Sequence, residues 1–277
     1  MTHFLGFVMR VLRWLQWFLW INLLGLWPLP VWAAHERELS CLLKAYPAFL
    51  SDKTDVRSNI LIWQDGETMR YDDGVEPVDF ETRLNQADLK EQMRIAYPLG
   101  NLAQPPALNH DPGRARYQPF FEKMYGNSAS AVRAQLTAVW WEPGKQSVTF
   151  SQANNAHLAL AAVGKKMAEQ ADLIDYAQLS LGTFNWRLIQ GTNRQSNHSF
   201  GIAIDFKLPS HLHQYWRWRC QPKQPCGYPD AVLHDEKLQR LVGLFEQQGF
   251  IWGGKWYHYD TMHFEYRPEL IACGITN

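Results

Sequence analysis

The feature that most limits how this chain can fold is an uncharged apolar run near its N-terminus. Arg10 and Arg13 precede a stretch, residues 14–34, that contains no charged side chain. A basic segment, an apolar segment and the ending Val31-Trp32-Ala33 together have the pattern of an export signal peptide. We therefore predict that residues 1–33 are a signal peptide. An uncleaved anchor is the alternative, because a run of about 20 apolar residues can span a bilayer.

Either outcome places the rest of the chain outside the cytoplasm, where cysteines form disulfides. Cys220 and Cys226 flank a short Pro-rich turn, so we expect them to pair with each other. The remaining two cysteines, Cys41 and Cys273, would then tie together the two ends of the mature chain. A four-cysteine zinc site is disfavoured because no Cys-x-x-Cys spacing is present. The residues before Cys41 lack the apolar start of a lipoprotein signal, so we expect no lipid anchor.

The charge balance limits the classes of partner that this protein can bind. The chain has 27 Lys and Arg residues against 27 Asp and Glu residues. A nucleic-acid binder needs a basic surplus to neutralise phosphates, and this chain has none. A hydrophobic content of 46% also excludes intrinsic disorder. We therefore expect a folded protein with no nucleic-acid partner, in contact with a membrane only if residues 1–33 stay attached.

The mature chain divides into two parts by its patterns. Residues 34–130 are irregular, and we interpret them as an extension packed on the domain that follows. Residues 131–277 show clearer strand and helix patterns. In the whole mature chain we predict strands at 59–63, 136–141, 147–151, 178–186 and 201–206, a strand pair within 250–266, and helices at 80–96, 119–125, 156–170 and 238–247. Helix and strand mix without regular β-α-β alternation, which predicts an α+β fold with a central antiparallel sheet.

Two short segments carry the residue types of a metal site. In the first, His198 stands just before a predicted strand and Asp205 near the far end of that strand. In the second, Asp260 precedes His263 by three positions. A catalytic zinc ion requires three protein ligands of nitrogen or oxygen type and one open position, which two imidazoles and one carboxylate would supply. Asp260 would then be the general base, provided that the chain turns at residues 261–262, because residues three apart in a regular strand face opposite sides.

These segments resemble a known family of zinc peptidases. The first reads Ser-x-His-x6-Asp from Ser196, and the second reads Asp-x-x-His-Phe-Glu from Asp260. Both are similar to the D-Ala-D-Ala carboxypeptidases and dipeptidases of the VanY/VanX type. They are also similar to the L-alanyl-D-glutamate peptidases of phage endolysins and sporulating bacteria. The resemblance covers roughly residues 147–270 and does not extend to the region before residue 130.

The resemblance implies a role for each matching residue. One Zn²⁺ per chain would be held by His198, Asp205 and His263. Asp260 would be the general base, and Ser196 would help to hold a substrate carboxylate. An arginine ahead of the first motif would polarise the scissile carbonyl; Arg187 is the best match, and Arg194 is the alternative.

The function implied by the resemblance is hydrolysis of peptidoglycan stem peptides by a periplasmic or secreted enzyme. The implied fold is that of the Hedgehog signalling domain and its bacterial cell-wall relatives, with residues 131–277 as the zinc peptidase domain. Asp rather than Glu at position 260 favours the L-Ala-D-Glu endopeptidase type over the D-Ala-D-Ala carboxypeptidase type. An alternative of another class is a non-catalytic zinc-bearing module that binds cell-wall peptides. A binding module has no need of a base at Asp260, which favours the enzyme.

Overall fold

The computed structural model describes residues 31–178, 180–217 and 227–276. Its α-helices are α1 (Val31–Ala45), α2 (Phe80–Asn85), α3 (Leu89–Met93), α4 (Gln118–Tyr125), α5 (Ala129–Ala134), α6 (Ala156–Ala168), α7 (Ile174–Ala177), α8 (Asp230–His234), α9 (Glu236–Glu246) and α10 (Pro268–Ala272). Its β-strands are β1 (Ile60–Ile62), β2 (Thr68–Arg70), β3 (Pro98–Leu99), β4 (Leu136–Trp141), β5 (Gln146–Ser151), β6 (Ser180–Gly182), β7 (Ala203–Phe206), β8 (Phe250–Trp252), β9 (His263–Tyr266) and β10 (Ile275–Thr276). This mixture of helix and sheet agrees with the predicted α+β class. The predicted signal peptide lies, apart from its last residues, outside the described residues.

A four-stranded antiparallel sheet in the order β6-β7-β9-β8 organises the second half of the chain. Every residue of β8 and β9 is buried, so both faces of these strands are covered. Helix α9 covers part of the sheet, and its Phe245 ring stacks on Phe264 of β9 with the centroids 4.1 Å apart. The sequence pattern of residues 238–247 predicts that Leu238, Leu241, Leu244 and Phe245 face inward, and all four are buried.

A second antiparallel hairpin, β4-β5, carries helix α6 against it. Trp141 at the end of β4 is fully buried, and its ring stacks on Phe206 of the central sheet. The ring also lies so close to Gly164 of α6 that a Cβ there would be 3.1 Å from it. The hairpin therefore packs between the helix and the central sheet.

Two sequence predictions in this region need correction. The periodicity of residues 156–170 predicts a buried face that includes Leu158, but Leu158 is 57% exposed, and the buried face of α6 carries Leu160 and Val163 instead. Alanines surround these residues, and several helical faces therefore have similar hydrophobicity. The strand predicted at 178–186 is only three residues long, because Gly182 has a φ of +144° and takes the chain out of the sheet.

The region before residue 130 packs on the end of the chain. The predicted disulfide between Cys41 and Cys273 is present, with the Cα atoms 5.6 Å apart. Strand β3 pairs in parallel with β10 near the C-terminus. The single helix predicted at 80–96 is instead two short helices, α2 and α3, whose first turns are capped by Asp79 and Asp88. The predicted partners Cys220 and Cys226 lie outside the described residues.

Buried polar contacts join this region to the central sheet. The Tyr97 hydroxyl donates to Glu246 of α9 and accepts from the backbone N–H of Trp252 in β8. Lys255 is fully buried, and its ammonium group donates to the carbonyl of Pro98 and to Glu246. Residues 36–276 thus belong to one compact unit. No helix within the described residues is both long enough and apolar enough to cross a bilayer.

Candidate active site

Three of the predicted site residues meet at one edge of the central sheet. The possible ligand atoms of His198, Asp205 and His263 all lie within 4.8 Å of one another. Asp205 on β7 is the register partner of His263 on β9, which places the two side chains together. One carboxylate oxygen of Asp205 is 3.2 Å from Nε2 of His198, and the other is 2.9 Å from Nδ1 of His263. The structure therefore brings together the three residues predicted as ligands.

A tight turn delivers His198 to this sheet edge. Ser196 precedes a short 3₁₀ turn, and its hydroxyl accepts from the backbone N–H of His198. Gly201 ends the turn with a φ of +65°, and a Cβ at that position would lie 2.4 Å from a methyl carbon of Leu136. Glycine is required here both by the backbone conformation and by the close contact. The chain then enters β7, which carries Asp205.

Each imidazole is held by a protein acceptor on the side away from the cluster. Nδ1 of His198 is 2.8 Å from the carbonyl oxygen of Thr183, so its Nε2 faces Asp205. Nε2 of His263 is 3.0 Å from a carboxylate oxygen of Glu265, so its Nδ1 faces Asp205. Metal-binding histidines are typically oriented in this way, because an acceptor on one nitrogen fixes the ring and leaves the other nitrogen free to bind.

Glu265 is itself fixed by buried donors. The side-chain amide of Asn197 donates to it at 2.5 Å, and a guanidinium nitrogen of Arg267 donates to it at 3.0 Å. Burial alone would raise the pKa of Glu265, but His263 and Arg267 outweigh burial and hold the pKa well below its usual range. The negatively charged carboxylate of Glu265 therefore accepts the hydrogen bond from Nε2 of His263.

Asp260 lies beside the cluster in a turn rather than in a strand. The backbone N–H of His263 donates to the carbonyl of Asp260, which closes the turn that the sequence required at residues 261–262. The Trp252 indole N–H donates to the carbonyl of Thr261 and so stabilises the same turn. The Oδ1 atom of Asp260 is buried and has no hydrogen-bond partner among the described residues.

The surroundings shift the pKa values of the two aspartates of the site in opposite directions. Burial raises the pKa of Asp260 to about 7, with His263 opposing the shift and Asp205 adding to it. Burial also disfavours the charge on Asp205, but the two imidazoles prevail and hold its pKa well below the usual range. Burial likewise opposes a charge on His263, yet the hydrogen bonds that its ring donates to Asp205 and Glu265 raise its pKa to about 10. The cluster is thus rich in negative charge, which suits a cation.

The donor set fits a zinc ion. Two imidazole nitrogens and one carboxylate match the ligand types of catalytic zinc sites, in which a fourth position stays open. The unpartnered oxygen of Asp260 is a buried acceptor that has no hydrogen-bond donor among the described residues. Such an atom is costly unless a ligand or water meets it. The residues present therefore suit a metal with a water beside it.

The region before residue 130 contributes two side chains near the site that the sequence analysis does not predict. Asp111 accepts from the backbone N–H of His258 and lies 2.6 Å from Nδ1 of its ring. Arg114 donates to the carbonyl of His258 and lies over the Trp256 ring, 5.0 Å from its centroid. The Trp256 ring in turn is 5.7 Å from that of His263. The only available signal was a run of charged residues in a loop, which predicts no contact with a motif about 150 positions later.

The predicted arginines lie on the chain that leads to His198. The backbone N–H of Arg187 donates to Ser199, but its side chain is exposed and donates to the carbonyl of Leu188. Leu188 and Gln195 form a bridge, and Arg194 is partly buried beside it. The structure does not bring Arg187 into contact with the three-residue cluster, and its catalytic role stays a prediction.

Comparison with known families agrees with the motifs. Residues 190–266 match the model of a family described as D-alanyl-D-alanine carboxypeptidase. The matched segment contains the three-residue cluster, Asp260 and Ser196, and the match confirms the resemblance predicted from the motifs. Residues 190–266 are thus similar in sequence to this family. No curated protein and no solved structure matches the chain.

Proposed function

We propose that this protein is a zinc peptidase that cleaves peptidoglycan stem peptides, with the bond between L-Ala and D-Glu as the favoured target. The observation that carries the proposal is the meeting of His198, Asp205 and His263 beside Oδ1 of Asp260, which has no hydrogen-bond partner among the described residues. We also propose that residues 131–277 have the fold of Hedgehog-like zinc peptidases, with residues 34–130 as an added extension. The support for this fold is the family match together with the antiparallel sheet.

The proposed chemistry divides between a metal and the protein. A zinc ion held by His198, Asp205 and His263 would acidify a water molecule and polarise the peptide carbonyl. Asp260, with a pKa of about 7, accepts a proton from the attacking water and returns it to the leaving amine. Thr183 and Glu265 fix the two imidazoles. Ser196 remains the proposed contact for a substrate carboxylate.

An arginine completes the proposed mechanism. A guanidinium near the scissile carbonyl would stabilise the oxyanion that forms during attack. Arg187 is our proposal for this group and Arg194 the alternative. Loss of such a donor is expected to lower kcat by about 10²–10³-fold. Comparing kcat of Arg187→Ala and Arg194→Ala on one muropeptide assigns the role to the residue whose loss has this effect.

The experiment that tests the function is incubation of the mature protein with defined muropeptides, with the products identified by mass spectrometry. Asp260→Asn is the matched control, because it keeps the shape of the side chain and removes the base. We expect its rate to fall by about 10²–10⁴-fold with zinc content unchanged. Hydrolysis at the wild-type rate by Asp260→Asn would contradict the assigned role.

The same experiment separates the alternatives. Release of D-Ala alone would identify a D-Ala-D-Ala carboxypeptidase, the activity after which the matching family is named. Tight binding of muropeptides without cleavage by the zinc-loaded protein would identify a binding module. The disulfide between Cys41 and Cys273 supports the proposed periplasmic or secreted location, because such bonds persist in oxidising compartments.

A further inference from the structure

A cavity of about 680 Å³ is lined in part by the segment that leads into the first motif. One wall comes from residues 81–87 and 116–121, before the matched peptidase segment, and the other from residues 191–195, which lead into the first motif. Its volume is in the range of pockets that hold small ligands. The cavity therefore exists only because the extension packs against the peptidase segment.

Two arginines line this cavity, one from each wall. Arg116 donates to the backbone carbonyl of Gln195 at 3.0 Å. The Nε atom of Arg194 is buried and has no hydrogen-bond partner in the parts of the chain that the structure describes. Glu81 is the acidic residue of the lining, and it lies near enough to attract Arg194 without forming an ion pair among the described residues. A buried donor on a charged group is costly unless an acceptor meets it.

The residues around Arg116 and Arg194 also supply too little negative charge to balance the two guanidinium groups. Burial lowers the pKa of Arg116 to about 9; Glu265 opposes this shift, and the neighbouring Arg267, Arg194 and Arg114 add to it. Burial and Arg114 lower the pKa of Arg194 as well. Mutual repulsion among guanidinium groups is relieved when an anion enters between them.

One segment of the chain both lines the cavity and leads into the active site. Gln195, whose carbonyl holds Arg116, stands directly before Ser196 and three positions before His198. Arg114, two residues before Arg116, lies over Trp256 beside His263. Arg114 lies near enough to both Asp260 and Arg116 to influence their charges, so positive charge links the active site to the cavity.

We propose that this cavity is a subsite that binds a free carboxylate of the peptide substrate, with Arg116 and Arg194 as its cationic residues. Guanidinium groups bind carboxylates through paired, charge-assisted hydrogen bonds. The polar side chains of Gln118 and Asn193 line the same cavity and can contact the peptide beside its carboxylate. That the ligand is a peptide rests on the proposed function; the anion preference rests on the cavity alone.

The test compares one stem peptide with free carboxylates and its amidated counterpart. Arg194→Gln is the main variant, because this side chain makes no hydrogen bond within the described residues whose loss would disturb folding. With the oxyanion role at Arg187, loss of a charge-assisted hydrogen bond to the substrate should raise its KM for the free acid by about 10–100-fold. Its KM for the amidated peptide should stay at the wild-type value. Arg57→Gln, which removes an 81% exposed arginine, is the matched control and should discriminate like the wild type.

The outcomes separate the subsite from the proposed function. Equal discrimination between acid and amide by the wild type and Arg194→Gln would overturn the subsite. A fall in kcat on both peptides would also overturn it and would make Arg194 the oxyanion residue instead. Arg116→Gln should repeat the result of Arg194→Gln, with thermal unfolding as the check that it folds.

Calorimetric titration with the same two peptides gives an answer that does not depend on cleavage. If neither peptide is cut, the proposed function fails. The subsite still stands if the free acid binds more tightly than the amide and Arg194→Gln removes the difference. Inorganic phosphate is titrated as a further probe. Arg194-dependent binding of phosphate as tight as that of the peptide would show a site for free anions and overturn the peptide assignment.

Discussion

Asp205 and Asp260 carry the same functional group in one site, and their surroundings give them different chemistry. Asp205 lies between two imidazoles that stabilise its charged form. Asp260 has an oxygen without a hydrogen-bond partner among the described residues and a pKa of about 7. Carboxyl groups whose pKa values are driven apart can serve separately as ligand or stabiliser and as proton carrier. This difference supports the proposed division between a metal ligand and a base.

The proposed ligands give a direct prediction about metal content. His198→Ala, Asp205→Ala and His263→Ala each remove one of three donors, so each should lower zinc binding. The fold should survive, because a chain of this length has its own core and does not depend on a metal. Elemental analysis of the purified variants measures zinc, and circular dichroism measures folding. Undiminished zinc in all three variants would show that the metal lies elsewhere.

Glu265 gives a second prediction, about a residue that acts through a ligand. Its carboxylate accepts from the His263 ring, so Glu265→Gln should weaken zinc affinity by about 10–100-fold while the three ligands stay in place. Glu269→Gln is the matched control, because Glu269 also pairs with the buried Arg267 but does not touch His263. Both variants disturb the Arg267 ion pairs, and only the first should change zinc affinity in a competition titration with a chelator. Equal affinities in the two variants would leave Glu265 with a structural role only.

Sequence reasoning found the proposed ligands because each lies in a short motif whose spacing is itself the signal. His198 and Asp205 are on one local turn-strand segment, and His263 follows Asp260 within one turn. Asp111 and Arg114 carry no such signal. Their contacts with His258 span about 150 positions of chain, and only the packed structure brings them together. The sequence also gives no sign that the Thr183 carbonyl contacts His198, because every residue type has the same backbone oxygen.

At the scale of elements, the short turn before β7 determines where His198 lies. Gly201 has a φ of +65° and a neighbouring methyl carbon in the way of a Cβ, so Gly201→Ala should destabilise the protein by about 1–3 kcal/mol. Gly243→Ala is the matched control, because Gly243 is inside helix α9 with nothing within 4 Å of a Cβ. That change should stabilise the protein by about 0.5–1 kcal/mol. Urea unfolding measures the free energy of unfolding of both variants. Similar values for the two would show that the turn tolerates a side chain.

Elements with strong local signals were predicted well, and the others depended on packing. The β4-β5 hairpin has alternating residues around a Pro-Gly turn, and helix α9 has one clear apolar face, so both were predicted correctly. In α6 the alanines near Leu158 and Leu160 blur the periodicity, and contact with Trp141 determines which face is buried. Strand β6 ends at Gly182, where the chain leaves the sheet and leads toward the bridge at 188 and 195.

At the scale of the whole molecule, the region before residue 130 is bound to the rest of the protein by buried contacts. Tyr46 donates to Glu269 at 2.5 Å, and Tyr97 donates to Glu246 at 2.8 Å. These four side chains are buried, so separating the two regions would break both hydrogen bonds and expose their polar groups. The same packing builds the cavity that Arg116 and Arg194 line. We infer that residues 36–276 unfold together.

The disulfide between Cys41 and Cys273 tests this inference, because it closes a loop of 232 residues around almost the whole unit. Cys41→Ser/Cys273→Ser should lower the free energy of unfolding by about 2–5 kcal/mol, mainly because the unfolded chain regains entropy. The zinc content should not change, and unfolding should remain a single transition, because the buried contacts between the two regions persist. Cys220→Ser/Cys226→Ser is the control: its predicted loop is far shorter, so its loss should cost less. Calorimetry of both variants at one scan rate measures the transitions. Two separated transitions in the first variant would show that the disulfide, rather than the packing, makes the molecule one cooperative unit.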